Sequence, residues 1–400
     1  MAIGFGWDIG GAHLKAACLA TAEGRRARLL HRQVPFALYR EPERLAAGLA
    51  ELVDGLMRAP ELADAVAVRA PGRDAAARQA TGTQAAGTQA SITHAVTMTG
   101  ELCDVFPSRR DGVRAILAAC VEGFGGETPS GCVVLDVDGA LLPWAEALER
   151  PERVAAANWM ATARLAARLA SPAVLIDVGS TTTDIIPLVG GHPRPQGRTD
   201  GARLLSGELV YSGLLRTPPG ALAARVPIPG GSCPVVPEYF AQMADVYLLL
   251  GRIDAARYTV PTPDGRDKTP AAAATRLARI VCAEPRELGA DVLRDVALFL
   301  ERRQIEQIAG GLRQVIDRMT ALPDGGAAPD GSLIAGAGAF LAAAAAEAVG
   351  LRTQPLGELF RGLAEPGWEV AAPSVALALL HAEALGMPGL LPAIPADGAS

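Results

Sequence analysis

Four hundred residues leave ample chain for large cores and suggest about two to three domains. Half of the residues are hydrophobic but only 4% are aromatic, and alanine and leucine dominate, which favours a helix-rich α/β enzyme over an all-β one. A net charge of −6, with no Lys/Arg cluster interleaved with aromatics, excludes a basic field for nucleic acid. No run of about eighteen uncharged apolar residues is present to span a membrane, and the N-terminus lacks a secretion signal, so a cytoplasmic protein is expected. Six cysteines without C-x-x-C spacing and five scattered histidines argue against zinc and for reduced thiols. Cys103 sits in a polar string and reads either as reactive or as a small core side chain.

In chain order, strands are predicted over about 3–9, 13–20 and 26–36. A helix follows Glu41-Pro42-Glu43, with Leu45, Leu49, Leu52 and Leu56 on one face. Then come an apolar segment at about 65–68, a strand at 95–99, a helix at 110–120 and a buried strand at 132–137. The βββαβαβ order is that of a ribonuclease-H-like unit, and residues 1–165 are assigned to it. Residues 69–93 differ, being Ala, Gly, Thr and Gln with a near-repeat from Gly82; a flexible surface insertion is expected.

A long helix is predicted over about 151–170, and residues 166–400 are assigned to a second ribonuclease-H-like domain. Its strands fall at about 173–178 and 182–188, before a Gly/Pro loop at 190–197. Residues 198–270 read as a substrate-cleft insertion of loops with one helix at about 238–250. Helices follow at about 270–283, 286–300 and 303–320. A strand at 332–334 enters Ala335-Gly-Ala-Gly-Ala339 and an alanine-rich helix, the strand–glycine turn–helix order of a nucleotide or phosphate site. The last helix spans about 374–385, with Ser374 as its N-cap.

Two strings carry the chemistry: Asp8-Ile-Gly-Gly-Ala-His13 and Asp177-Val-Gly-Ser-Thr-Thr-Thr-Asp184. Each lies between two apolar runs and reads as strand, glycine turn, strand. Glycines let backbone N–H groups close on an anion, and an adjacent aspartate can hold a hydrated divalent metal. One such turn would be ordinary hairpin punctuation. Two facing each other would clamp a phosphate chain.

Asp8 with Gly10 and Gly11, Asp177 with Gly179, Ser180, Thr181 and Thr182, and Gly336 with Gly338, in that order, resemble the motifs of the actin/sugar kinase/Hsp70 superfamily. The second string is most similar to the hydantoinase/oxoprolinase branch. Further blocks narrow the likeness: Gly6–Ala12, Thr97–Phe106 with Ser108-Arg109, Ala155–Trp159, Gly207–Tyr211 with Arg216-Thr-Pro218, and Ala244–Tyr247. Together they resemble the family linked to tetrahydromethanopterin-dependent one-carbon transfer, whose archaeal members join the furan and tyramine halves of methanofuran. Except for residues 69–93, nearly the whole chain takes part.

The resemblance implies an α/β actin-like ATPase fold of two related domains with an interdomain cleft. It also implies a transferase in which the phenol of a glutamyl-tyramine displaces diphosphate from an aminomethylfuran-methyl diphosphate, without ATP; in a bacterial methylotroph the product would lead to methylofuran. Asp8 and Asp177 would hold Mg²⁺ directly or through waters, and N–H groups of Gly10, Gly11, Gly179, Ser180 and Thr181 would grip the leaving group. His13 and Lys15 share a strand face; His13 is a base or donor, and Lys15 a phosphate ligand or a solvated residue. Glu101 would bind the substrate amine or deprotonate the phenol, whereas Ser108 reads as a helix cap. Arg203 or Arg216 would clamp a carboxylate or diphosphate, or form surface salt bridges, within a polar run that includes Glu208. Asp245, on an otherwise apolar helix, is either paired or functional. Gly336 and Gly338 would contact adenosine in an ATP-using relative and cover substrate otherwise. Partners are small-molecule substrates, with no nucleic acid or membrane, and a homo-oligomer is compatible with the sequence. The other readings are an ATP-dependent kinase or oxoprolinase-type hydrolase, and a non-catalytic sensor or scaffold.

Overall fold

The computed structural model describes residues 2–21, 27–60, 62, 91–126, 131–321, 327–360, 367–387 and 391. The chain forms two compact units, Met1–Arg168 with Leu359–Ile394, and a second built on Leu169–Glu358.

In the first unit, β1 (Ala2–Ile9), β2 (His13–Thr21), β3 (Arg28–Pro35), β4 (Ser91–Met98), β5 (Val133–Leu135) and β6 (Leu141–Pro143) form one sheet in the order β3-β2-β1-β4-β5-β6. The first three strands are antiparallel, β1, β4 and β5 run parallel, and β6 turns back. Strand alternation sends Ile3, Phe5, Trp7 and Ile9 to one face, where they join Leu45, Leu49, Leu52 and Leu56 of the helix Leu45–Met57 in a single core. Ser108 caps the helix Arg109–Gly123 by accepting from the Asp111 N–H.

The helix Ala372–Ala384 packs on β1, β2 and β4 and against the helix Asn158–Ala167. It therefore belongs to the first unit, although the sequence reading assigned all of 166–400 to the second. The reason is its composition: Ala372 to Ala382 are buried without a break, so this helix needs cover on all sides. Ser374 lies inside it, buried, and donates to the Ala371 carbonyl instead of capping.

The second unit repeats the topology. Its strands are β7 (Ala173–Val178), β8 (Thr183–Val189), β9 (His192–Pro193), β10 (Leu209–Val210), β13 (Ser332–Ala335) and β14 (Thr353–Pro355). The order is β10-β8-β7-β13-β14, with β9 on β8, and the β10-β8-β7 strands are antiparallel while β7, β13 and β14 are parallel. The hairpin β11 (Arg225–Ile228) with β12 (Gly231–Pro234) stands apart.

Four local expectations change. The region 198–270 carries the helix Asp200–Ser206 besides Met243–Leu249, because Thr199 caps the former. The helices predicted between 286 and 320 are one helix, Ala290–Thr320. Across the predicted gap at 301–302 the helix continues, with Glu301 buried against Arg252 and Gln304 against Tyr247. The helix predicted over 151–170 is broken into Pro151–Val154 and Asn158–Ala167, with Ala156 at φ 50 between them. Residues 91–93 are already strand; the rest of the predicted 69–93 insertion and the apolar 65–68 segment lie outside the described residues.

Candidate functional site

In the first unit the turn between β1 and β2 is closed by Gly10 N–H donating to the His13 carbonyl at 3.0 Å. Asp8 stands opposite Lys15 in the β1–β2 register, and Lys15 Nζ donates to Asp8 Oδ2 at 2.9 Å. Asp8 is 2% exposed, and its Oδ1 has no hydrogen-bond partner among the described residues. Such a buried acceptor costs about 1–3 kcal/mol unless a ligand satisfies it. His13 is buried at the start of β2, on the same strand face as Lys15.

Beside this turn, Thr99 N–H donates to the Ile9 carbonyl at 3.0 Å, and Gly100 lies against Gly10. The 3₁₀ turn Gly100–Leu102 then places Glu101 in a buried position, backed by Gly112. Cys103 Sγ lies beside Gly11. Asp8, Gly10, Gly11, His13, Lys15 and Glu101 are thus gathered where β1 and β4 end, the edge at which open α/β sheets place ligands.

The second unit builds the same turn. Gly179 N–H donates to the Thr182 carbonyl at 2.9 Å, and Asp177 stands opposite Asp184. Ala335 of β13 pairs with Asp177, and Gly338 N–H donates to the Val178 carbonyl at 2.9 Å, so Gly336 and Gly338 are brought onto the aspartate turn. Gly336 has φ 85, and a Cβ there would collide with Asp177 Oδ1 and the Val178 carbonyl. Arg257 donates to the intervening Ala337 carbonyl at 2.6 Å.

A strap, Gly213 to Thr217, is bound to this turn. Leu214 N–H donates to Gly179 O, and both Leu215 and Arg216 donate to Ser180 O, at 2.9 to 3.0 Å. Gly213 has no room for a side chain against the backbone of Thr181 and Thr182. The strap leaves Arg216 exposed beside the turn. Sequence reading passes over Gly213, which lies in no periodic run, and takes Tyr239 into the helix predicted over about 238–250, which begins only at Met243; the nearby Arg216-Thr-Pro218 block is the available signal.

Three other candidates serve the interior of the second unit. Arg203 is buried and donates to Asp184 Oδ1 at 2.7 Å and to the Glu208 carbonyl at 3.1 Å. The Glu208 carboxylate accepts from the N–H groups of Gln196 and Gly197 at 2.7 and 2.8 Å, and pairs with Arg318. Asp245 completes a capping box with Gln242 and holds Arg276 and Tyr258. Burial pushes the Asp245 carboxyl up from the ordinary carboxylate range, and the hydrogen bond from Arg276 opposes that. Their polar groups meet in the fold because each needs a partner once buried.

Mg²⁺ fits this donor set in one manner. Among the described residues no group of three or more His, Cys, Asp or Glu is arranged to cage an ion. The open Asp8 Oδ1 instead suits a hydrated ion that keeps waters and substrate oxygens as its other ligands. No disulfide joins the six cysteines, and among the described residues no helix is long and apolar enough to cross a membrane.

Two sheets of one topology, each with an aspartate near the end of its first strand and a glycine turn after it, define an α/β protein of actin-like ATPase fold with two related domains. Nucleotide-free acetone carboxylase shares this fold, with a TM-score of 0.50 and 12% identity, covering 94% of this chain and 70% of that one. The chain belongs to the hydantoinase/oxoprolinase family, whose model matches residues 93–376. A relative from Methanocaldococcus jannaschii, a (4-{4-[2-(γ-L-glutamylamino)ethyl]phenoxymethyl}furan-2-yl)methanamine synthase, is 36% identical over 225 residues, covering 56% of this chain and 67% of the relative. A synthase of the same name from Methanococcus vannielii is 33% identical over 145 residues, covering 36% of this chain and 65% of that protein.

Proposed function

We propose that this chain forms an aryl ether in the synthesis of a methanofuran-type cofactor. The phenol oxygen of a γ-glutamyl-tyramine attacks the methylene carbon of an aminomethylfuran-methyl diphosphate. The new C–O bond forms, the bond from that carbon to diphosphate breaks, diphosphate leaves with the electron pair, and the phenol proton passes to a base. The observation that carries this reading is the 36% identity to a synthase whose product contains a phenoxymethyl-furan linkage.

The furan oxygen stabilises the cation that develops at the methylene carbon. The protein therefore has chiefly to stabilise departing negative charge and to hold the phenol in line. In the first unit, Lys15 and the N–H groups of Gly10 and Gly11 bind phosphate oxygens. In the second, Gly179, Ser180, Thr181 and Thr182 supply donors of the same kind. Asp8 and Asp177 would hold Mg²⁺, which when bound neutralises charge on the leaving group. Glu101, buried beside the first turn, takes the phenol proton, and His13 directs a hydrogen bond to the phosphate. No step consumes ATP.

The test is incubation of pure protein with the furan diphosphate and γ-glutamyl-tyramine. Ether and diphosphate should appear in equal amounts without ATP. ADP formation from added ATP, with no diphosphate released from the furan, would overturn this reading in favour of a kinase or an oxoprolinase-type hydrolase.

A further inference from the structure

The strap that carries Arg216 is fixed at both edges. On one side it donates to Gly179 and Ser180. On the other, its Leu215 and Thr217 carbonyls accept from Ala244 and Met243 at 3.1 and 2.9 Å, at the start of the helix Met243–Leu249. Thr217 Oγ1 further binds Gly213 N–H at 2.9 Å, so the strap is a closed loop. Arg216 projects from this rigid support, exposed, and takes part in no ion pair among the described residues. The strap fixes where the Arg216 backbone stands beside the Ser180 turn, and its guanidinium can meet a planar anion there with paired N–H donors.

The N-cap of the same helix, Gln242, orients Tyr239. Gln242 Nε2 donates to the Pro261 carbonyl at 2.9 Å and to Tyr258 Oη at 2.7 Å. The Pro261 carbonyl can only accept, so the amide orientation is set and Oε1 must face Tyr239. Tyr239 then has to donate, and its hydroxyl reaches Gln242 Oε1 at 2.6 Å. Tyr258 continues the chain to Asp245 at 2.9 Å, and Arg276 anchors Asp245 at 2.8 Å. Tyr239 is half-exposed, and with its proton committed to Gln242 its hydroxyl oxygen has only lone pairs left to offer a ligand. Burial raises its phenol above the ordinary range while the nearby Arg216 charge opposes that rise, so it stays a neutral acceptor.

We infer that Arg216 and Tyr239 form an α-amino-acid subsite beside the Asp177 turn, Arg216 taking an α-carboxylate and the Tyr239 oxygen accepting from the α-ammonium of a γ-glutamyl group. The inference rests on the proposed function for its ligand, since a γ-glutamyl amide ends in that pair of charges. It goes beyond the ether-forming step, because it assigns the recognition of a part of the substrate remote from the reacting atoms. The buried Gln242–Tyr258–Asp245–Arg276 chain is the positioning support of this subsite.

The test is calorimetric titration of the full chain, and of Arg216→Ala, Arg216→Lys and Tyr239→Phe, with four phenols. These are γ-glutamyl-tyramine, glutaryl-tyramine (no ammonium), γ-aminobutyryl-tyramine (no carboxylate) and tyramine. Wild type should bind γ-glutamyl-tyramine at least about tenfold tighter than tyramine. Arg216→Ala should remove the advantage conferred by the carboxylate, and Arg216→Lys should restore part of it. Tyr239→Phe should weaken γ-glutamyl-tyramine roughly threefold or more and leave glutaryl-tyramine unchanged. Equal or undetectable binding of all four phenols by wild type, or a full carboxylate preference in Arg216→Ala, would overturn the subsite. Diphosphate release is scored separately: normal binding preferences without ether formation would sink the proposed reaction and leave the subsite standing.

Discussion

Lys15 faces Asp8 across the first hairpin at the same offset at which Asp184 faces Asp177 across the second. One topology thus carries two different charge arrangements. In the first unit an ammonium sits 2.9 Å from the aspartate; in the second the opposite residue is a carboxylate, and Arg203 pairs with it at 2.7 Å. Asp8 is balanced by the residue directly opposite it, whereas Asp177 faces a second carboxylate whose charge an arginine from elsewhere in the unit balances.

Lys15→Met should lower the rate of diphosphate release at least about 100-fold, as loss of one preorganised charge contact to a leaving group does. The same change leaves the Asp8 carboxylate buried without its cation. Stability should fall by roughly 1–3 kcal/mol, discounted because Lys15 is partly exposed. Rates at saturating substrate and denaturant midpoints check the two effects. A fully active Lys15→Met would remove Lys15 from the phosphate site.

Asp177→Asn should shift the Mg²⁺ dependence. The Mg²⁺ concentration for half-maximal rate should rise roughly tenfold or more, because one anionic oxygen ligand becomes a neutral amide. Lys15→Met should instead lower the maximal rate at saturating Mg²⁺. Identical Mg²⁺ curves for wild type and Asp177→Asn would rule out a metal role for that aspartate.

Gly336→Ala combines a positive φ of 85 with a collision against Asp177 Oδ1 and the Val178 carbonyl. The expected result is a loss of roughly 1–3 kcal/mol in stability together with displacement of the Asp177 side chain. Ala337→Gly, one residue away, should be mild by comparison. Equal thermal midpoints for the two variants would contradict the close packing of this turn on Asp177.

The core of the first unit should make the protein acid-sensitive. His94 accepts from Trp7 Nε1 at 3.1 Å and stacks on Phe124, and burial together with the charge of His381 pushes its pKa down to about 3. Burial likewise takes His381 down to about 4. Both are neutral in the fold, so the unfolded chain takes up protons below about pH 6.5 that the fold refuses. Stability is full above about pH 6.5 and is lost as pH falls toward about 4 and then about 3, by roughly 1 kcal/mol per pH unit for each histidine. The two ring nitrogens of His381 have no hydrogen-bond partner among the described residues. His381→Leu should therefore be neutral or stabilising at pH 7 and should flatten the slope between pH 6.5 and 5, read from urea midpoints. An unchanged slope would assign the acid sensitivity to other groups.

Much of this fold is legible in the chain because its signals are local. The alternation Ile3, Phe5, Trp7, Ile9 makes β1 a strand wherever it lies, and the leucine period at 45, 49, 52 and 56 makes an amphipathic helix. Continuity is harder to read where distant partners take up the polar groups. The helices predicted over 286–300 and 303–320 run on as one, where Glu301 and Gln304 accept from Arg252 and Tyr247, far off in sequence. Ala156 shows the reverse, since alanine-rich sequence carries no mark of a break at φ 50.

For the site, the sequence by itself determined the two aspartate–glycine turns, because strand ends and glycine backbone freedom act over a handful of consecutive residues. Tertiary structure alone decided which polar residues stand near them. Arg203, Glu208 and Asp245 resemble ligand-binding residues in a string of letters, yet each is claimed by an interior partner. Arg216, from the same polar stretch, is left exposed by a strap bonded to Ser180, and Tyr239 is aimed by an amide whose direction Pro261 fixes. A buried polar atom must find a partner, and which partner it finds is set by packing between residues far apart in the chain.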